Sequence, residues 1–215
     1  MLTFDTLWRA RVRDGPIIAS RSVLRQMDHF IMALKTDPAL ERPSFFLSLY
    51  WIGYAADAEP GHVAYLWSTG IEGMTPIEAV VTDNLAIPTA IGHRLRPGQF
   101  PLTDPNRAAQ LGRFQRSSSR NWAISFRIEA DDLLVDARWE TLSPPVFATG
   151  PTSSRDALIT TMLTEAHQPS ATVNGIRQPG GSFHNPIWRP WFGNERGSCV
   201  IGLGETIYEI EEAEA

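Results

Sequence analysis

Cysteine and lysine are almost absent from this sequence. Its 215 residues include one cysteine, Cys199, and one lysine, Lys35, beside 18 arginines. A single cysteine excludes an internal disulfide and any zinc or iron–sulfur site built from several thiolates. Schiff-base or pyridoxal chemistry would need Lys35 or the terminal amine. Because Lys35 falls in a helix-like segment, we reject that chemistry and expect no cofactor.

Long apolar runs and an excess of positive charge are also missing. No run of 18 or more apolar residues is present, so no transmembrane helix is expected. The first 15 residues lack the features of a signal peptide, and we expect a cytoplasmic protein. The net charge of −5 argues against binding to nucleic acid. Known nucleotide-loop and metalloprotease motifs are absent, and no histidine or carboxylate pair has metal-ligand spacing, so we assign no metal.

Hydrophobic residues, in contrast, are plentiful. They make up 43% of the chain, with seven tryptophans and ten phenylalanines. A chain of this length and composition buries a core without staples, which excludes wholesale disorder. We expect a single domain over residues 1–215. It would comprise a helical N-terminal segment over residues 1–40, a β-barrel over 41–211 and a frayed tail over 212–215.

Alternating apolar residues give the clearest secondary-structure signal. Residues 121–142 alternate on both sides of Asp131-Asp132, which predicts a hairpin with one dry face and one wet face. Further strands are predicted over 45–56, 62–68, 77–81, 170–177 and 197–211, and residues 157–166 as a short strand or one helical turn. Pro88–Leu95 has the composition of a short helix.

One substantial helix is predicted near the N-terminus. Between residues 20 and 35, apolar side chains recur with the spacing of one helix face. Short turns join the predicted strands, without a βαβ rhythm. We therefore expect a mainly β protein: an antiparallel, lipocalin-like barrel or half-barrel with one N-terminal helix. An α+β sandwich is the alternative.

Residues 181–198 form the most unusual segment of the chain. Two tryptophans lie here among prolines, glycines and a few directed polar groups, a mixture typical of a small-molecule site. We predict that His184 is catalytic. The predicted ligand-binding residues are Asn185, Trp188, Arg189 and Trp191. The alternative is a structured loop whose tryptophans close one end of the core.

Other polar residues give weaker signals. Glu165 and His167 would share one face of a strand, and we predict them as a second catalytic pair. Asp28 and His29 are adjacent on the predicted helix, so they would point apart and form no dyad. His62 and His93 are expected at the surface.

Arginines and glycines give two further signals. The arginines at 113, 116 and 120 are expected on a solvated face, with an anion clamp as the alternative. Gly202 and Gly204 suggest close backbone packing within the last strand.

The hairpin, the following VFATG and the late FHNPIWRPWFG segment resemble the lipocalin-like AttH and carotenoid-hydratase superfamily. The resemblance covers roughly residues 121–200. It implies that an apolar small molecule is bound, with hydration, dehydration, isomerisation or cyclisation as the chemistry. No catalytic residue is transferred from it.

Three functions remain open at this point. The first is a cofactor-free lyase or isomerase that acts on a mostly apolar molecule inside a β-barrel. The second is a non-catalytic carrier with the same pocket, since a carrier needs only an apolar cavity. The third is a structural or interaction protein that uses its aromatics in the core and in a homodimer interface. An enzyme requires polar groups that converge in the pocket with perturbed pKa values.

Overall fold

Strands account for nearly all of the secondary structure. The computed structural model describes residues 17–55, 58–69, 75–91, 107–119, 123–151, 157–189 and 195–212. Their strands are β1 Ile17–Leu34, β2 Phe45–Ala55, β3 Gly61–Ser68, β4 Ile77–Thr82, β5 Gln110–Leu111, β6 Arg113–Ser118, β7 Ile124–Ala130, β8 Leu133–Leu142, β9 Val146–Pro151, β10 Ala157–Val173, β11 Ile176–Arg177, β12 His184–Asn185, β13 Arg196–Gly197 and β14 Cys199–Glu212. A short helix, α1, spans Ala86–Ile91, and a 3-10 turn spans Pro186–Trp188.

Twelve of these strands form one sheet, which curls into a nearly closed barrel. Its order is β5-β4-β3-β2-β1-β14-β10-β8-β7-β6, with β9 and β11 also paired to β10. All described pairings are antiparallel except the one between β4 and β5. The small β12–β13 ladder stands apart from this sheet. The prediction of an antiparallel barrel is confirmed. No helix among the described residues is long and apolar enough to cross a bilayer.

The predicted N-terminal helix over residues 20–35 is wrong, because residues 20–34 belong to β1 and Lys35 follows that strand. Both faces of this strand are buried along its second half, so apolar and polar residues do not alternate there. Gln26 adopts a left-handed backbone conformation with φ of 53°, at an irregularity in the pairing with β14. Such bulges shift the phase of a strand, and here the shifted pattern imitates helical spacing.

Most of the predicted strands are confirmed. The hairpin forms as β7 and β8 around a turn at residues 131–132, and the strands at 45–56, 62–68 and 77–81 appear as β2, β3 and β4. Residues 157–166 are the first part of the long strand β10. Asn174 and Gly175 both have positive φ and join β10 to β11, as expected for a two-residue hairpin turn. The predicted helix over Pro88–Leu95 overlaps α1, and its last residues lie outside the described ranges.

Aromatic side chains fill the barrel interior. Phe30 of β1 lies 4.7 Å from Phe126 of β7 and 5.7 Å from Trp139 of β8, measured between ring centroids. These strands are not neighbours in the sheet, so the contacts exist only because the sheet curls. The Trp139 indole N–H donates to the Ile31 carbonyl at 2.8 Å, which satisfies the one polar group of this buried ring.

The outer face of the barrel carries two further apolar clusters. One joins Tyr50, Tyr65 and their neighbours on β1–β4 to Ile87 of α1. The other, smaller cluster contains Leu163, Trp188, Val200 and Ile31. The polar residues considered below lie on the strand segments between these two clusters.

We expect the interior rings to carry much of the stability. Phe30→Ala removes a fully buried ring and should lower the free energy of unfolding by about 3–5 kcal/mol, because it leaves a cavity that the barrel cannot close. The matched control is Phe147→Ala on β9, where the side chain is 54% exposed. Urea denaturation of both variants measures the difference. Equal losses would contradict the assignment of the interior as the main core.

Candidate functional site

Irregular pairing between β1 and β14 positions a buried acid beside a histidine. Met27 pairs with Glu205, but His29 pairs with Gly202, so β14 carries one extra residue between the two pairs. A bulge of this kind changes which face the following side chain occupies. As a result, Glu205 and His29 both face the outer side of the sheet.

Two glycines make this arrangement sterically feasible. Gly204 adopts φ of 62°, a conformation that favours glycine. A side chain on Gly202 would collide with the Glu205 carboxyl and would approach the Thr161 hydroxyl. The close packing expected of these glycines therefore takes place between the strand backbone and a carboxyl group.

The site consists of Glu205, His29, Ser48, Thr161 and Tyr50. His29 Nε2 lies 2.9 Å from the Ser48 hydroxyl, a hydrogen bond that fixes the imidazole. His29 Nδ1 lies 3.9 Å from Glu205 Oε2, too far for a direct hydrogen bond. Among the described residues, Glu205 Oε2 and Thr161 Oγ1 are buried without a hydrogen-bond partner. Buried oxygens of this kind are uncommon and call for an explanation.

Aromatic rings enclose the imidazole. The His29 ring stacks on Tyr50 with centroids 3.8 Å apart, and Tyr50 meets Tyr65 edge-on at 6.4 Å. The Tyr50 ring is almost fully buried, whereas 15% of the His29 side chain remains exposed. His29 is therefore more exposed to solvent than the Glu205 carboxyl, of which 5% is exposed.

Burial controls the protonation of the site. It raises the pKa of Glu205 to about 8, and the negative charge of Asp28 adds to this shift. It lowers the pKa of His29 to about 3 and raises the pKa of the Tyr50 phenol. At neutral pH the site therefore holds a protonated carboxyl beside a neutral imidazole, because the sheet offers little compensation for either charge.

Such a site can donate and accept a proton. Glu205 has the pKa closest to neutrality, so it is the group best suited to transfer a proton. The neutral imidazole is a poor base but a good hydrogen-bonding partner for a carbonyl oxygen. Among the described residues, no group of three or more histidine, cysteine, aspartate or glutamate side chains is placed to hold a metal ion.

Part of the predicted 181–198 segment adjoins this site. Trp188 is buried against Ile31, Leu163 and Val200, and its indole N–H donates to the Gly197 carbonyl at 3.1 Å. Those three contact residues lie two positions along their strands from His29, Thr161 and Gly202 respectively. Two residues of a strand span about 7 Å on one face. Trp188 therefore lies next to the Glu205 site.

The other predicted residues of this segment are more dispersed. His184 is exposed, Asn185 is buried, and both belong to the β12–β13 ladder. Arg189 is exposed and forms an ion pair with Glu195. Trp191 lies outside the described residues. Whether His184, Asn185 or Arg189 contacts a ligand remains a prediction.

The predicted pair Glu165 and His167 lies on β10. Glu165 accepts hydrogen bonds from Arg196 Nη1 and from the Gly197 amide, both at 3.1 Å. His167 is exposed. The Glu165 carboxylate is thus held by a guanidinium and a backbone amide, and a catalytic role for the pair remains a prediction.

Four other residues singled out in the sequence lie among the described residues. Lys35 is not in a helix: it follows β1, exchanges backbone hydrogen bonds with Gly181 and places Nζ 4.3 Å from the Phe183 ring centroid. Burial raises the pKa of Cys199 to about 11, so this thiol is a poor nucleophile.

Arg116 pairs with Asp28 at 2.9 Å. Arg113 is exposed on β6, and Arg120 and His93 lie outside the described residues.

The sequence did not identify Glu205, and it treated His29 only as a neighbour of Asp28. In a strand, adjacent residues occupy opposite faces, so His29 joins Glu205 on one side while Asp28 joins Arg116 on the other. The available signal was the run Gly202-Leu203-Gly204-Glu205, in which a lone acid follows two glycines inside an apolar strand.

No family model matches the chain, and no curated protein matches it in sequence. Two solved structures of acetoacetate decarboxylase are similar to it. The one from Legionella pneumophila has 13% identity and a TM-score of 0.38 over 93% of this chain and 92% of that chain. The other has 9% identity and a TM-score of 0.41 over 98% and 93%. Similarity this weak carries no conclusion about activity.

We expect the two titrating groups to shape the dependence of stability on pH. The folded chain holds the Glu205 proton more tightly than the unfolded chain, so this contribution is complete below about pH 4.5 and is lost as the pH rises to about 8. His29 acts in the opposite sense, because its pKa is lower in the folded chain than in the unfolded chain. Its contribution to stability therefore increases as the pH rises from about 3 to 6.5. Within its range, each group changes the free energy of unfolding by roughly 1 kcal/mol per pH unit.

Denaturant unfolding of the parent protein, Glu205→Gln and His29→Gln between pH 3 and 9 measures these slopes. The two contributions cancel between about pH 4.5 and 6.5, and above pH 6.5 only the Glu205 loss remains. Relative to the parent, Glu205→Gln should therefore gain stability from pH 4.5 to 8. Parallel curves for parent and Glu205→Gln over that range would show that the carboxyl ionises normally.

Proposed function

We propose that this protein binds a small, mostly apolar carbonyl compound beside Glu205 and moves a proton on it without a cofactor. The observation that carries this proposal is the buried Glu205 carboxyl, which has an unpartnered oxygen and lies beside a neutral imidazole. Strongly perturbed acids and bases that converge in apolar surroundings are typical of active sites.

The roles follow from the geometry. Glu205 takes a proton from the carbon next to the carbonyl as a carboxylate and gives a proton back as a carboxylic acid. Its pKa near neutrality suits both steps. His29, held by Ser48, offers a neutral hydrogen-bonding edge to the developing oxyanion. Trp188 supplies an apolar wall next to these groups. The partly exposed edge of His29 provides access for the substrate.

This proton transfer suits isomerisation, hydration–dehydration or cyclisation. Each of these reactions moves a proton without oxidation or reduction, so none needs a redox cofactor. They are also the reactions implied by the resemblance to the AttH and carotenoid-hydratase superfamily. A carrier is the competing function, and it would bind the same molecules without needing the Glu205 proton.

Deuterium incorporation tests the proposal without knowledge of the natural substrate. 4-Phenylbutan-2-one is a suitable probe, because it joins an apolar ring to a carbonyl with exchangeable neighbouring protons. In D2O, the protein should accelerate exchange at those carbons, as followed by NMR. The rate should rise with pH and level off above about pH 8, since the Glu205 carboxylate is the form that accepts the proton.

Two matched substitutions locate the activity. Glu205→Gln keeps the size of the side chain but removes its proton transfer, and should lower the catalysed exchange by about 100-fold. Glu165→Gln makes the same change in the carboxylate that pairs with Arg196. The exchange rate of this variant should stay within about twofold of the parent rate, since in this proposal Glu165 does not transfer the proton. The opposite result would move the active site to Glu165. Binding without any exchange would support the carrier.

A further inference from the structure

A second group of titratable side chains lies at one end of the barrel interior. The strand register places Asp28, Trp51 and His62 in one row across β1, β2 and β3. Neighbouring strands are about 4.8 Å apart, so Asp28 and His62 are separated by about 10 Å with Trp51 between them. These residues occupy the opposite face of the sheet from His29 and Glu205.

His62 forms a close pair with Asp83, the residue that follows β4. Its Nδ1 lies 2.7 Å from Asp83 Oδ2, and its backbone amide donates to Oδ1 at 2.6 Å. A carboxylate only accepts hydrogen bonds, so the imidazole Nδ1 carries a proton, and in the neutral ring the lone pair is on Nε2. No described residue hydrogen-bonds Nε2. The His62 side chain is 21% exposed and that of Asp83 is 33% exposed, so water reaches the pair.

The chain holds this pair rigidly. A side chain on Gly61 would place its Cβ 2.8 Å from Asp83 Oδ1, so glycine permits the close approach. The Thr82 hydroxyl donates to the His62 carbonyl at 2.6 Å and ties the end of β4 to β3. An imidazole oriented in this way by a carboxylate has the geometry of a general base.

Aromatic rings and a guanidinium complete this end of the barrel. The His62 ring stacks on Phe114 with centroids 4.9 Å apart and planes inclined by 10°, and it meets Phe126 edge-on at 6.3 Å. Arg116 Cζ lies 5.9 Å from the same Phe126 ring, and Arg116 pairs with Asp28. The imidazole and the guanidinium thus both lie close to the Phe126 ring.

We propose that His62, Asp83, Phe114 and Arg116 form a second catalytic site, which hydrolyses small aryl esters. The Phe114 ring is only partly buried and offers a flat surface to an aryl group. Arg116 has further N–H donors for the ester oxygen. Water is the nucleophile, because the base lies at the solvent boundary. This feature separates it from the Glu205 site, where water is largely excluded and proton transfer to carbon is favoured.

The proposed step is balanced. His62 Nε2 takes a proton from water as the water oxygen bonds to the ester carbonyl carbon. The bond from that carbon to the aryl oxygen then breaks, and the leaving phenolate receives the proton from the imidazolium. One ester and one water give one acid and one phenol, and the imidazole returns to its starting state.

Hydrolysis of 4-nitrophenyl acetate by the full chain tests this site, because the released nitrophenolate absorbs visible light. After subtraction of the buffer rate, the protein should exceed the rate of the same concentration of histidine side chains supplied as free imidazole. His62→Gln should lower this rate by about 100-fold, the usual contribution of a general base. Circular dichroism confirms that each variant is folded.

Three further variants separate catalysis from structure. Asp83→Asn should lower the rate at least about tenfold, because the orientation of the imidazole is lost. Asp136→Asn is the same change in an exposed pair with Arg127 and should leave the rate unchanged. Phe114→Leu should raise KM more than it lowers kcat, since the ring binds the aryl group. A parent rate no higher than imidazole, or full activity in His62→Gln or Asp83→Asn, would overturn the proposal.

Discussion

The irregular pairing of β1 with β14 is the constraint on which the Glu205 site depends. In a regular ladder, side chains alternate strictly between the faces, and a one-residue slip exchanges them. The extra residue of β14 near Gly204 and the left-handed Gln26 of β1 break that alternation at one point. Glu205 is thereby turned toward His29 on the outer face. Asp28 remains on the inner face, where it accepts a hydrogen bond from the Gly204 amide and pairs with Arg116.

Burying a carboxyl without a full set of partners opposes folding. A buried, unsatisfied polar group costs about 1–3 kcal/mol, and Glu205 and Thr161 each contribute such an atom. The chain tolerates them because aromatic and aliphatic contacts surround the site on both sides. The same desolvation keeps Glu205 protonated and His29 neutral near neutral pH. The cost in stability and the protonation of the site therefore have one physical cause, the exclusion of water from this part of the sheet.

The two acid–base pairs differ chiefly in their contact with water. His29 and Glu205 lie between apolar clusters and share no direct hydrogen bond, so their protonation is governed by burial. His62 and Asp83 are joined by a short hydrogen bond and stay partly exposed, so their geometry is governed by pairing. A pair that is shielded from water favours proton transfer to a bound carbon skeleton, whereas a pair in contact with water favours activation of a water molecule. Trp188, which the sequence predicts to bind a ligand, packs next to His29 and Glu205.

The sequence by itself determined the class of fold, because the hairpin of β7 and β8 shows plain alternation between a buried and a solvated face. It failed at β1, where burial on both faces removes that alternation and a bulge imitates helical spacing. The tertiary structure alone decided the candidate sites. His29 and Glu205 are distant in sequence, as are His62 and Asp83, and each pair meets only through the register of neighbouring strands. Local patterns record which face a residue prefers, but they do not record which strand lies beside it.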